Sequence, residues 1–447
     1  MLYDYSADSD DVELVIKTTG ETLKFWTQYT YDQDFTTPTD AFSFTIADKP
    51  IVKEYYEKLA PGTLVTLIIN GKAQCTGYVD SRSLKPGRDG TTLQIAGRDA
   101  ISPLCDASVD PLYQFSEKTT LNDVFNKVTK PFGIYRLVST TDVSNRSVIT
   151  GNLAANTSTY YSPPTTQQGR INADAAGGAT VQTVQAQRIK LGEYDPTKPR
   201  FLKNFDPNQI KPHPGEGCYE FLNRLCKRFR LGLWVSALGD ELIVDEPNFK
   251  QAPIYTIARN GKFNNVLEGS LDDTTTDQPS IIVATGIGAN SITPWTKLKC
   301  MMVNELTAFD SNGRMYDEVT KLIEERKKKG WQLLPLRPEL RNFAGRFTSR
   351  VFKPMFYHDD ESRTPGQLEG QVRHEMAQRQ GKAITLKYKV FGHTQNDIPW
   401  CVNTMVMVDD NELDIHGPMW LKSRTFTKSR SGTFTDLTLI PPYTLMF

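Results

Sequence analysis

The segment Pro61–Val109, PGTLVTLIINGKAQCTGYVDSRSLKPGRDGTTLQIAGRDAISPLCDASV, decides how the rest of this chain is read. Leu64–Ile69 is a β-rich apolar run that stops at Asn70-Gly71, a dipeptide suited to the positive φ angles of a tight hairpin. Gln74–Leu84 then reads as a second strand, Lys85–Gly90 (KPGRDG) as a second turn and Thr91–Ala96 as a third strand. Polar Thr66, Asp80 and Gln94 interrupt the apolar positions, as a sheet with one wetted face requires.

Toward the N-terminus, Val12–Ile16, Thr22–Tyr31 and Ala41–Ile46 carry strand patterns, and FSFTI (Phe42–Ile46) alternates cleanly. Gly20-Glu21 and the Thr36–Asp40 cluster supply the turns, and Ile51–Leu59 is a short amphipathic helix or turn. About six strands result, enough for a small closed or nearly closed barrel.

The same pattern returns 342 residues later. Thr404–Val408 matches the first strand of the meander, and Trp420–Phe426 matches Tyr78–Leu84. Identical residues stand at Ser81/Ser423, Arg82/Arg424, Arg88/Arg430, Gly90/Gly432 and Thr91/Thr433. Either the chain carries one β-domain twice, or two meanders share composition. A second echo, at a spacing of 97, relates Thr119–Ile134 to Glu216–Leu231. Both place apolar residues on one helical stripe, and Thr120 and Asp123 stand at capping-box spacing. The second helix runs into a hairpin ended by Pro247.

CTGYVDSR (Cys75–Arg82) and AGRDAISPLCDAS (Ala96–Ser108) resemble the N-terminal signature of the Mu-like hub, or late control protein D, family of contractile phage tails. Gly215–Leu233 resembles that family's helix-and-hairpin landmark. The stretch Gly381–Pro442 resembles its C-terminal part, through ITLKYKVFGH, NDIPW and SGTFTDLTLIPP. The resemblance implies a structural subunit of the tail baseplate, assembled in the bacterial cytoplasm. It implies a homotrimer between a hexameric tail tube and a threefold spike, with the tube protein or tube initiator, the spike and other baseplate proteins as partners. The interface candidates are then Arg82, Arg88, Arg424 and Arg430. A tail-like bacteriocin or injection particle would use the same hub. A cell-wall-degrading or carbohydrate-binding tail component is the reading from another class.

The expected fold is therefore mainly β with α+β insertions: two related small β-barrel domains of tail-tube type, plus helix–hairpin domains. Residues 1–110 form the first barrel domain, and 111–260 a helix–hairpin domain with a long polar insertion at 140–211. Strands in 261–300 complete or lead to the second barrel, 301–380 is an α-containing insertion, and 381–447 is the C-terminal β-domain. Thr140–Lys211 is rich in Ser, Thr, Asn, Gln, Gly, Ala and Pro and lacks the apolar runs of a core; it reads as disordered or as an arm ordered by neighbours.

Lys+Arg and Asp+Glu both count 52, so no long-range field draws the chain to nucleic acid or an acidic membrane. No apolar run reaches membrane-spanning length. The six cysteines form no C-x-x-C pair and read as buried thiols, with neither metal nor cofactor implied. No H-E-x-x-H, G-x-S-x-G or P-loop is present. His358-Asp359-Asp360-Glu361 is the densest group of possible acid/base residues, and adjacent carboxylates on a loop ordinarily face water. The chain reads as a non-enzyme.

Overall fold

The structure, a computed structural model, describes residues 10–447 except 25, 48, 89, 116–120, 135, 140–147, 153–158, 162–188, 191–210, 229–230, 288–297, 311, 338–339, 341–342, 344–351, 360–361, 363–364, 430 and 445–447. Arg430, Asp360, Glu361, the Thr120 cap and most of the polar tract Thr140–Lys211 thus lie outside the described residues.

Six N-terminal strands form the first β-module: β1 (Val12–Ile16), β2 (Gln28–Asp34), β3 (Ala41–Ile46), β4 (Leu64–Ile69), β5 (Lys72–Gly87) and β6 (Gly90–Asp99). Alternation decides their facing: Phe42, Phe44 and Ile46 point inward, as do Val12, Leu14 and Ile16. Asn70 and Gly71 take φ of 50° and 74°, and Ile69 pairs with Lys72 across them, the two-residue hairpin their types favour. The expected Lys85–Gly90 turn is shorter than its composition implies. The ladder runs on through Pro86↔Thr91 to Gly87↔Gly90, leaving only residues 88 and 89 at the tip.

The C-terminal strands form a second module: β7 (Tyr255–Arg259), β8 (Glu268–Asp273), β9 (Ile384–Phe391), β10 (Thr404–Asp410), β11 (Ile415–Ser429) and β12 (Gly432–Ile440). The first module is ordered β2-β3-β6-β5-β4-β1 in the sheet, and the second β8-β9-β12-β11-β10-β7. Chain order and sheet order therefore both repeat, which two unrelated meanders would not do. One strand departs from the repeat: β1 is antiparallel to β4, whereas β7 is parallel to β10. There the ladder partners Arg259 and Asp410 are also an ion pair at 2.9 Å, with Tyr388 donating to the same carboxylate at 3.0 Å. The modules also share a ladder, because β11 pairs antiparallel with β2 from Ser423↔Asp34 to Lys428↔Tyr29. With the two-residue strand Thr22–Leu23, which pairs with β1, the result is one 13-stranded sheet.

Two compact units are present: Met1–Gly269 with Lys387–Gly417 and Leu421–Thr438, and Ser270–Leu386 with Pro418–Trp420 and Leu439–Phe447. In the first, helices Leu121–Thr129 and Cys218–Arg228, the pair related at a spacing of 97, share one core with the Gly232–Val235/Glu241–Asp245 hairpin. Val124, Phe125 and Val128 meet Phe221, Leu222 and Leu225 there. In the second, Ile281–Gly286 pairs with Leu298–Val303 and Pro354–Asp359 instead of joining the β-module. Its apolar residues face both ways. Ile282 and Ala284 lie under helix Pro365–Gln380 through Leu368 and Val372, while Ile281 and Val283 lie under helix Asp317–Lys328 through Val319 and Ile323.

Candidate functional site

Of the residues singled out by the repeat, Arg424 lies on the ladder that joins the modules. Arg424 on β11 lies opposite Gln33 on β2 and is 2% exposed. Its guanidinium stands over the rings of Phe426 and Tyr31, at 4.4 and 5.5 Å from their centroids, and Nη1 is 4.0 Å from the Cys401 sulfur. Facing it is half-buried Asp40, whose Oδ2 accepts from Tyr31 Oη at 3.0 Å and Gln33 Nε2 at 2.7 Å. The Asp40 backbone N–H donates to Asp99 Oδ2 at 3.0 Å. Gln33, Asp40, Asp99, Trp234, Asn403 and Arg424 line a cavity of about 110 Å³ beside this group. The signal in the sequence was partial: Arg424 stood out by repetition, but Asp40 read only as part of a turn.

Burial pushes the Asp40 carboxyl up to about 7, against the pull of the Tyr31 hydrogen bond and the Arg424 charge. Burial, then the neighbouring Asp40 charge, also raises Asp99 well above the ordinary range. The folded state thus holds a proton on Asp40 that the unfolded chain, near 3.8, releases. Stability from this group is full below the unfolded value and is lost as pH rises through about 7. Asp40→Asn should therefore flatten the decline in urea midpoint between weakly acidic and weakly alkaline buffer; an unchanged slope would show that other groups set it.

A second polar contact within the first unit is His393, held between Tyr29 Oη at 2.6 Å and Thr435 Oγ1 at 3.1 Å. Burial lowers its pKa to about 3, so the ring is neutral. Tyr29 then donates to Nε2, and Nδ1–H donates to Thr435, whose own hydroxyl is directed at the Gly392 carbonyl. This histidine links β2 to β12 and stays neutral through the neutral pH range.

Arg82, the repeat partner of Arg424, is only half-buried; it stacks over Tyr56 at 3.9 Å and donates to the Tyr56 carbonyl. Arg88 is exposed at the hairpin tip. The structure therefore brings Arg424 into the module seam and leaves Arg82 and Arg88 on the projecting hairpin. Of the acidic group after His358 only Asp359 is among the described residues: His358 Nδ1 lies 3.0 Å from Thr285 Oγ1, and Asp359 is buried and accepts from Ser362 Oγ. Among the described residues no group of three or more His, Cys, Asp or Glu converges as a metal site, and no helix is long and apolar enough to cross a membrane. All six cysteines are free thiols.

Residues 12–99, the span from the first residue of β1 to the last of β6, match the model of the family described as Mu phage baseplate assembly protein GpP-like, N-terminal. Over 104 residues the chain is 32% identical to baseplate hub protein gp44 of Escherichia phage Mu, a match spanning 23% of this chain and 27% of that relative. A 43 kDa tail protein of prophage MuSo2 from Shewanella oneidensis is similar over 98% of this chain and 100% of its own, with 19% identity and a TM-score of 0.62. A tail protein from Neisseria meningitidis MC58 is similar over 96% and 95%, with 18% identity and a TM-score of 0.61. The first β-module thus matches the Mu phage GpP-like baseplate family model, within a chain that shares the fold of these two tail proteins and spans about a quarter of the length of the phage Mu relative it matches.

Proposed function

We propose that this chain is the structural hub of a contractile-tail baseplate, acting as a homotrimer that adapts a sixfold tail tube to a threefold central spike. The observation that carries the reading is the repeated strand order, with the two modules joined edge to edge by the β2–β11 ladder. A trimer offers three copies of any one surface, and a hexameric tube has six subunits to be met. Two like modules per chain resolve that mismatch, since three chains then present six near-equivalent docking units. The tube protein or a tube initiator would dock on one end of the ring, and the spike and other baseplate proteins elsewhere. The site of action is the virion tail, with assembly in the bacterial host cytoplasm.

The role needs packed modules and large interfaces, and the polar groups at the seam serve it by fixing one module against the next. Sedimentation of the isolated protein should give three times the 50.4 kDa chain mass, with contacts of roughly 2,000 Å² or more. A monomer throughout the micromolar range would contradict the proposal. Incubation with purified bacterial cell walls should leave their turbidity unchanged, and clearing would favour a cell-wall-degrading role.

A further inference from the structure

We infer that the C-terminal end of helix Asp317–Lys328, with the strand Pro354–Asp359 beside it, is a docking surface for an acidic peptide segment of another protein. Arg326, Lys299, Lys327 and Lys328 would take its carboxylates, and Phe356 an apolar side chain next to them. The surface lies wholly in the second compact unit and does not depend on the hub reading.

Geometry supplies the first argument. Val283 and Phe356 are partners on adjacent parallel strands, so their side chains share one face of the sheet. Helix Asp317–Lys328 covers that face over Val283, through Val319 and Ile323. Phe356, on the last strand of the sheet, is left 62% exposed. The last helical turn reaches this ring: the Arg326 guanidinium stands 5.5 Å from the Phe356 centroid and 5.3 Å from that of Trp331. Lys299 Nζ lies 4.5 Å from the same Trp331 ring and donates to the Lys329 carbonyl at 3.1 Å. Cations and aromatic faces thus alternate across one surface.

Charge gives the second. The helix dipole places about half a negative charge at this end, and the last turn carries Arg326, Lys327 and Lys328 against it, a clear surplus. Glu325 is taken by Lys329 at 2.5 Å. Among the described residues the buried Nε–H of Arg326 has no acceptor, and neither Arg326 nor exposed Lys327 and Lys328 forms an ion pair. A guanidinium resting on rings is partly stripped of water, which strengthens its pull on an arriving anion. Successive helical residues fan out by about 100°, so Lys327 and Lys328 form no row along which a nucleic-acid backbone could run. The charge instead gathers around one guanidinium fork, whose geometry suits a carboxylate. The bare ring of Phe356 beside it suits an aromatic or aliphatic neighbour of that carboxylate. A short acidic segment with an apolar residue among its carboxylates meets both demands.

The test is fluorescence anisotropy of a labelled peptide of sequence DDFDD with the full-length protein, beside a KKFKK peptide and a labelled oligothymidine strand. Saturable binding of DDFDD is expected, with none of KKFKK and weaker binding of the strand. Arg326→Glu should weaken peptide binding about tenfold, and Lys327→Glu with Lys328→Glu about fivefold. Arg326→Gln removes the charge with less disturbance and should fall between the parent and the glutamate variant, which separates lost recognition from lost folding. The peptide DDADD should bind the parent less tightly than DDFDD, and Phe356→Ser should abolish that difference. Lys17→Glu, which changes an exposed cation of the first unit, should leave binding as it is. An oligothymidine strand that binds more tightly than DDFDD would overturn the acidic segment in favour of nucleic acid. Peptide binding indifferent to Arg326 and Phe356, or no peptide binding at all, would overturn the surface, and each of these outcomes leaves the hub reading standing.

Discussion

Arg424→Glu is expected to lower unfolding stability by about 3–5 kcal/mol, the cost of disrupting a buried charged group and leaving its surroundings uncompensated. Arg424 is 2% exposed, sits over two aromatic rings and faces Asp40 and Asp99 across the seam. A glutamate there would add a third acidic group to two carboxyls already held toward protonation by burial. It would also lose the stacking on Phe426 and Tyr31. Arg424→Met keeps most of the volume without the charge and should cost clearly less. Urea unfolding of the three proteins at one pH makes the comparison. A glutamate variant within about 0.5 kcal/mol of the parent would show that the seam does not hold the modules together.

Gly97→Val should be nearly as damaging, by about 3 kcal/mol, for a steric reason. A Cβ at Gly97 would stand 2.2 Å from the Tyr78 carbonyl oxygen and 2.4 Å from Phe42 Cζ, and one at Gly77 would stand 2.0 Å from the Arg98 carbonyl oxygen. Both glycines lie where β5 and β6 cross closely, beside the register shift between Val79 and Ser81. The TGY and AGRD motifs thus contain glycines that no other residue can replace without parting the two strands. Gln94→Ala on the exposed face of β6 is the control and should leave the thermal midpoint nearly unchanged. Equal midpoints for Gly97→Val and the parent would mean that the close approach is absent in solution.

The sequence disclosed local features well. The Asn70-Gly71 hairpin, the alternation of Phe42–Ile46 and the helix pair at a spacing of 97 are each set by neighbours in the chain, and each stands where its chemistry indicates. Repetition reached further, because identical residues 342 apart pointed to two modules that do share a strand order. Three features depended on distant partners and were not legible. The pairing of β2 with β11 joins edges nearly 400 residues apart, with no local mark on either strand. The parallel entry of β7 breaks the repeat and sets Arg259 beside Asp410 as an ion pair, a match visible only once the two strands are adjacent. Ile281–Gly286 is apolar on both faces, so its sequence agrees equally with completing a module and with lying between two helices. The candidate site divides in the same way. Arg424 was found by repetition, yet an arginine in a strand ordinarily reads as exposed, so its burial emerges only from the seam.

The central claim is that one chain supplies two like modules to a ring that three chains complete. Electron microscopy of the purified protein viewed end-on tests it most directly. The expected image is a ring of six similar lobes with threefold symmetry, in which first and second modules alternate. Single unassociated chains, or a trimer with only its first modules at the ring and its second modules away from the axis, would contradict it.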